Sequence, residues 1–139
     1  MHPLRFNRVV PFFIRRCIKT ESLVNSEHPT ISEFLKSNRI VVFMKGRHDR
    51  PSCGFSKAAL QILQLHGLDQ VVCVDVLQDP KLMSTLKSYS EWQTFPQIYF
   101  DSKLIGGYDI IAELHKGGEL VEILDEMGIQ STMKDYFKK

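Results

Sequence analysis

The sequence predicts a single α/β domain in which helices flank a central four-stranded mixed sheet. Two apolar, β-rich runs, Ile40 to Met44 and Val71 to Val74, are each followed by a helical pattern, which favours a parallel βαβ unit. Two further short strands, Gln97 to Phe100 and Lys103 to Ile105, are separated only by Asp101-Ser102, as in an antiparallel hairpin. A parallel pair and a hairpin in one domain make the sheet mixed.

The length and composition exclude several classes of protein. The chain has 139 residues, of which 43% are hydrophobic and 24% charged, as in a soluble globular protein with one core. The longest apolar runs fall far below the ~20 residues that cross a bilayer, so we expect no membrane span. Residues 1–20 carry five basic side chains and no acid, and the remainder is acidic overall. A basic nucleic-acid-binding domain is therefore not expected.

The first 25 residues have the composition of a mitochondrial transit peptide. Met1 to Asn25 mixes Arg with Phe and Val and has no acid before Glu21. Arg15 and Arg16 follow the apolar residues, whereas a secretory leader carries its charges before them. We therefore expect import into the mitochondrial matrix, and the alternative is a basic tail without an address.

The first half of the domain reads as helix, strand, loop and helix. Thr30 to Glu33 forms a predicted capping box that opens a short helix. The run from Ile40 is apolar at every position, which indicates a central strand covered on both faces. Lys45 to Ser52 is polar and is predicted to be a loop. Apolar residues from Phe55 then recur at helical spacing until Gly67 ends the helix.

The second half repeats a strand and a helix before the hairpin and two final helices. Asp79-Pro80 supplies an N-cap and a first-turn proline for the helix after the second strand. After the hairpin, Asp109 is predicted to cap the next helix, and apolar positions continue to Leu124. Gln130 to Lys139 is polar and is predicted to be a flexible tail.

Cys53 is the candidate reactive residue among three cysteines. It opens the first long helix, where backbone N–H groups and the helix dipole stabilise a thiolate, and Lys45 adds positive charge nearby. A nucleophilic or metal-binding thiolate is one interpretation, and a buried apolar cysteine is the other. We accept the buried interpretation for Cys73, which lies inside a strand, while Cys17 lies in the transit segment.

The surroundings of Cys53 favour a lone reactive thiol. A dithiol redox motif has a second cysteine three positions after the first, and here that position is Ser56. A lone thiolate can form a mixed disulfide with glutathione or ligate a metal, but cannot close an internal disulfide within the motif.

Cys53-Gly54-Phe55-Ser56 is the CGFS signature, and the chain resembles the single-domain mitochondrial monothiol glutaredoxins. The resemblance covers about residues 30 to 128, and we delimit the domain as residues 28–129. Further matching elements occur in the family's order: Lys45-Gly46, Trp92, Thr94-Phe95-Pro96, Gly106-Gly107 and Tyr108-Asp109.

This resemblance implies a thioredoxin-like fold with a glutathione groove. Lys45 would pair with the glycine carboxylate of glutathione, and Phe95, before a cis Pro96, would offer its backbone to the peptide's cysteine. Tyr108 and Asp109 would hold the γ-glutamyl end. Taken singly, Lys45 has an ordinary interpretation as a solvated lysine, Asp109 as a helix cap and Gly106-Gly107 as a turn.

Three positions depart from the family pattern, and one of them is Gln93, since members often have Trp-Pro-Thr where this chain has Trp92-Gln93-Thr94. Met83 occupies the place where members often have an arginine that reaches glutathione, so the affinity is expected to be lower unless Lys87 substitutes. Tyr108 replaces a common cysteine, so a second thiol near the site is missing.

The resemblance implies an iron–sulfur carrier in mitochondrial cluster biogenesis. Two chains, each supplying Cys53, and two glutathione molecules would ligate one [2Fe–2S] cluster in a homodimer. The cluster would pass from a scaffold protein to acceptor proteins, and BolA-type proteins are further candidate partners. The alternative function is a glutathione-dependent oxidoreductase that removes glutathione from mixed disulfides through Cys53.

Overall fold

The computed structural model describes residues 27–68 and 70–137. The proposed transit segment and Cys17 lie outside these residues. The α-helices within the described ranges are α1 His28–Ser37, α2 Gly54–Leu65, α3 Pro80–Ser90, α4 Tyr108–Gly117 and α5 Glu119–Glu126, and a 3-10 helix spans Val76–Gln78. The strands there are β1 Ile40–Met44, β2 Gly46–Arg47, β3 Arg50–Pro51, β4 Val71–Asp75, β5 Gln97–Phe100 and β6 Lys103–Gly106. None of these helices is long and apolar enough to span a bilayer.

The main sheet has four strands in the order β4-β1-β5-β6. β4 runs parallel to β1, whereas β5 runs antiparallel to β1 and pairs with β6 in the hairpin. Every residue of β1 is buried, because helices cover both faces of this central strand. The predicted four-stranded mixed sheet is confirmed.

Alternate residues of β1 belong to two separate hydrophobic layers. Ile40, Val42 and Met44 pack with buried residues of α2, α4 and α5 on one face of the sheet. Val41 and Phe43 pack with buried residues of α1 and α3 on the other face. The sheet therefore lies between helices on both sides, and the N-termini of α2 and α4 belong to the same layer.

Two predicted helix starts are wrong and one is confirmed. α1 begins at His28 with Glu27 as its N-cap, so Thr30 lies inside the helix and no capping box forms, because Pro29 already provides a favourable first turn. Asp109 lies in the first turn of α4, whose N-cap is the extended Gly107. For α3, the Asp79 carboxylate accepts the backbone N–H groups of residues 81 and 82 as predicted.

The predicted loop between β1 and α2 contains a small antiparallel ladder, β2 and β3. Strands of two residues are too short to show an alternating pattern, so the sequence gives no signal for them. Gly46, the first residue of the ladder, has φ of +97° and would place a Cβ atom against the backbone N of Ser52. Only glycine fits this position without a shift of the backbone.

The described part of the C-terminal tail packs on the domain, unlike the flexible tail that its composition predicts. Ser131 is buried, and the Thr132 backbone N–H donates to the His66 carbonyl at 3.2 Å. The Thr132 hydroxyl donates to the Leu65 carbonyl at 2.7 Å. The polar residues of the tail thus donate hydrogen bonds to backbone carbonyls at the end of α2. These hydrogen bonds hold the tail against the domain.

Candidate functional site

Cys53 is the N-cap residue of α2, as the sequence predicts, and its side chain is half-buried. The backbone N–H of Ser56 is the main cause that lowers the pKa of the Cys53 thiol. The backbone N–H of Phe55, the Ser56 hydroxyl and the charge of Lys45 act in the same direction, while partial burial opposes them. The free first turn of the helix therefore stabilises the thiolate more than the surrounding basic side chains do.

A groove of about 490 Å³ lies beside this thiol. The groove is lined by all five residues that the sequence analysis singles out, namely Lys45, Cys53, Phe95, Tyr108 and Asp109. They come from the end of β1, the N-terminus of α2, the loop before β5 and the N-terminus of α4. Residues up to 64 positions apart in sequence thus meet in one site of the size that small-molecule ligands occupy.

The N-terminus of α4 forms one end of this groove. Tyr108 and Asp109 occupy its first turn, where unpaired backbone N–H groups and the helix dipole favour an anionic ligand group. The Asp109 carboxylate offers an acceptor for an ammonium group at the same place. The groove can therefore receive both charges of an amino-acid end group.

Phe95 and Pro96 form the wall of the groove before β5. Their peptide bond is cis, as the family resemblance implies. Phe95 is 7% exposed, and the Gln97 side chain donates to the Trp92 carbonyl at 2.9 Å, which ties this loop to the strand. The loop is thus a fixed surface beside the thiol.

Met83 and Lys87 both line the groove from α3. They are four residues apart, so they lie one above the other on the same helix face. The departure at Met83 therefore falls within the site, and Lys87 brings a second ammonium group to the groove beside that of Lys45.

One residue of the groove departs from the burial pattern of its helix. Phe55 continues the apolar spacing that predicts α2, but its side chain is 60% exposed. Its ring lies 5.7 Å from the ring of Tyr108, centroid to centroid, and both residues line the groove. Its place in the first turn, two residues after the helix N-cap, is the signal that separates it from the core positions one turn later.

Comparisons with known proteins identify the class. A family model described as Glutaredoxin matches residues 40–105. Glutaredoxin-related protein 5, mitochondrial, of Danio rerio is 41% identical over 109 residues, which cover 78% of this chain and 70% of the relative. Monothiol glutaredoxin-5, mitochondrial, of Schizosaccharomyces pombe is 43% identical over 99 residues, covering 70% and 68%. The chain belongs to the monothiol glutaredoxins.

Solved structures agree with the thioredoxin-like fold. A monomeric truncated mutant of Trypanosoma brucei 1-C-Grx1 matches with a TM-score of 0.69 and 33% identity, covering 76% of this chain and 96% of that one. A poplar glutaredoxin C1 in its holo form matches with a TM-score of 0.62 and 26% identity, covering 71% and 95%. Buckwheat glutaredoxin in complex with glutathione, at 24% identity and a TM-score of 0.65, covers 81% and 99% and supports the fold alone.

Proposed function

We propose that this chain is a glutathione-dependent carrier of [2Fe–2S] clusters in mitochondrial iron–sulfur cluster biogenesis. In the carrier, two chains and two glutathione molecules hold one cluster, each chain through Cys53. A scaffold protein supplies the cluster and acceptor proteins receive it. BolA-type proteins are candidate partners that would use the same cysteine.

The observation that carries this proposal is the single reactive thiolate in the groove. Residues 27–68 and 70–137 contain two cysteines, of which Cys73 is 2% exposed within β4. No group of three potential metal ligands occurs within these ranges. A [2Fe–2S] cluster takes four thiolates, so one chain that offers only Cys53 needs a second chain and two small thiols.

The chemistry of the groove suits glutathione as that small thiol. Glutathione has a free carboxylate at each end and an ammonium group at the γ-glutamyl end. Lys45 offers a cation for the glycine carboxylate, and the first turn of α4 with Asp109 offers partners for both charges of the γ-glutamyl end. The Cys53 thiolate lies in the same groove as both anchors.

Anaerobic reconstitution tests this proposal. The chain without its first 25 residues is supplied with ferrous iron and sulfide, with and without glutathione, and studied by visible spectra and native mass measurement. We expect one [2Fe–2S] cluster per two chains only when glutathione is present, and apo monomer when it is removed. A cluster that assembles on one chain, or without any small thiol, would contradict the proposal.

The lowered pKa of Cys53 also favours a second function, deglutathionylation. In that reaction the Cys53 thiolate attacks the glutathione sulfur of a mixed disulfide and releases the substrate thiol. A second glutathione thiolate then attacks the glutathionylated Cys53, regenerates its thiolate and leaves as glutathione disulfide. High turnover by a preparation that never holds iron under the reconstitution conditions would make this the primary function.

Lys45→Ala is expected to weaken glutathione binding about tenfold or more, because a charge-assisted contact contributes about 1.5–3 kcal/mol. Cluster assembly at limiting glutathione should fall and should recover partly when glutathione is in excess. Iron content measured across a glutathione titration checks this, with exposed Lys81→Ala as the control. Equal curves for Lys45→Ala and the wild type would remove Lys45 from the site.

Met83→Arg is expected to tighten glutathione binding, since it places a guanidinium group on the groove face of α3. Calorimetric titration with S-methylglutathione, which cannot form disulfides, checks the affinity. If Lys87 supplies the missing cation, the single substitution Lys87→Ala should weaken glutathione binding. The same substitution should weaken binding less when Met83→Arg is also present. No gain from Met83→Arg would mean either that the existing lysines already satisfy the ligand or that Met83 does not occupy the place of the family's arginine.

Residues 1–25 are expected to direct import into the mitochondrial matrix. Their support is the cationic composition, with no acid before Glu21, together with the mitochondrial designation of the relatives. Fusion of Met1 to Asn25 to a fluorescent reporter checks the address, and the same segment with Arg5, Arg8, Arg15 and Arg16 changed to Gln is the control. A diffuse signal from the unaltered fusion would leave only a basic tail.

A further inference from the structure

The backbone corner at Lys45-Gly46 joins β1 to the small ladder and is held by contacts from three directions. The Lys45 N–H donates to the Ser56 hydroxyl at 3.3 Å, and the Lys45 carbonyl accepts from the Ser52 N–H at 2.9 Å. The Gly46 N–H donates to a carboxylate oxygen of Asp75 at 2.8 Å. Two of these partners, Ser56 and Asp75, are buried side chains.

Asp75 is a carboxylate buried to 4% exposure at the end of β4. It pairs with Met44 in the parallel register of β4 and β1, so its side chain reaches the residue pair that follows Met44. The oxygen that binds Gly46 also accepts the Leu77 N–H at 2.9 Å, and the other oxygen accepts from the Gln78 amide at 3.2 Å. A buried carboxylate needs such donors, and one of them comes from the corner.

Ser56 has no exposed surface and lies in the first turn of α2. Its hydroxyl accepts the Lys45 N–H, and the same hydroxyl and the Ser56 backbone N–H stabilise the Cys53 thiolate. One side chain thus contacts both the thiol and the backbone of the lysine beside it, with its donor and its acceptor both in use.

We propose that Asp75 and Ser56 are positioning residues that fix the Lys45-Gly46 corner against β4 and α2, and so set the place of the Lys45 ammonium group relative to Cys53. The inference rests on the proposed role of Lys45 in glutathione binding. A short two-residue ladder whose outer strand is partly exposed has little packing of its own, so these side-chain contacts decide where its first residues lie. A fixed lysine loses less conformational freedom when glutathione binds.

Three variants test the part played by Asp75. Asp75→Ala removes the acceptor for Gly46, whereas Asp75→Asn keeps a carbonyl oxygen that can accept from both Gly46 and Leu77. Gln78→Ala is the matched control, because it removes a contact to the same carboxylate without touching the corner. Amide hydrogen exchange at Gly46 reports the contact directly, and calorimetric titration with S-methylglutathione reports its consequence.

Asp75→Ala should speed exchange of the Gly46 amide about tenfold or more and weaken S-methylglutathione binding severalfold. Asp75→Asn and Gln78→Ala should stay near the wild type in both measurements. The effect of Asp75→Ala on affinity should vanish when Lys45→Ala is already present, because the two residues act through one contact. An Asn variant as impaired as the Ala variant would mean that the charge matters and would overturn the positioning role.

Ser56→Ala provides a second break of the same corner should Asp75→Ala fail to fold. It should speed exchange of the Lys45 amide and raise the pKa of the Cys53 thiol, measured from the pH dependence of alkylation by iodoacetamide. Ser84→Ala, which removes an exposed hydroxyl bonded within α3, is its control. Unchanged exchange at both Gly46 and Lys45 overturns the inference. A different outcome is altered amide exchange in Asp75→Ala and Ser56→Ala together with an unchanged affinity of Lys45→Ala for S-methylglutathione. That outcome overturns the proposed contact of Lys45 with glutathione.

Discussion

Cys53→Ser is expected to abolish cluster binding, leaving less than about a tenth of the wild-type iron after anaerobic reconstitution with glutathione. A serine hydroxyl stays protonated near neutral pH, so it cannot replace the thiolate that the first turn of α2 stabilises. The same substitution should abolish any turnover of glutathione mixed disulfides. Iron and acid-labile sulfide content, together with native mass, measure the outcome.

Cys73→Ser is the matched control for this experiment. Cys73 lies within β4, 2% exposed and opposite Val42 of β1, on the face of the sheet that packs against α2, α4 and α5. The variant should keep its cluster, although the buried hydroxyl should lower its thermal stability. Retention of the full cluster by Cys53→Ser, or its loss with Cys73→Ser in a folded chain, would contradict the assignment of the ligand.

A second large effect is expected in the pH dependence of stability, through His66. This residue is fully buried at the end of α2, where burial is the main cause that lowers the pKa of its imidazole to about 4, with His115 contributing. One ring nitrogen lies 2.7 Å from the Ser131 hydroxyl and the other 2.9 Å from His115 of α4. The imidazole is thus held neutral between two polar partners.

The sign of the pH effect follows from the lowered pKa. In the unfolded chain His66 takes up a proton near its usual pKa of about 6.5, whereas the folded chain takes it up only near pH 4. The neutral imidazole therefore makes its full contribution to the free energy of unfolding above pH 6.5. As the pH falls towards 4, roughly 3 kcal/mol of this free energy is lost. Urea unfolding at a series of pH values measures this.

His66→Gln is the variant that separates this titration from other acid effects. Glutamine can hydrogen bond to Ser131 and His115 but does not titrate, so the slope of stability between pH 4 and 6.5 should become much smaller. When the wild-type chain loses stability at low pH, the described tail residues should also detach from the domain, because Ser131 and Thr132 bond to His66. An unaltered slope in His66→Gln would assign the acid sensitivity to other groups.

The sequence alone determined the sheet and the surroundings of the thiol. Continuous apolar runs identified β1 and residues 71–74 of β4, because a strand that is buried on both faces is mostly apolar. Asp101-Ser102 marked the hairpin, since both residues adopt positive φ in its tight turn. The position of Cys53 at the start of α2 indicated a stabilised thiolate, because the unpaired N–H groups of a first helical turn are a local property. Each of these three signals is carried by residues that are neighbours in sequence.

Only the tertiary structure decided which distant residues complete the site and its support. The exposure of Phe55 depends on which face of α2 meets the sheet. The packing of the described tail residues on the domain depends on the free carbonyls at the end of the same helix. The contact of Asp75 with Gly46 depends on the parallel register of β4 beside β1. These contacts join residues far apart in the chain, so their energies depend on packing geometry that no local pattern of the sequence contains.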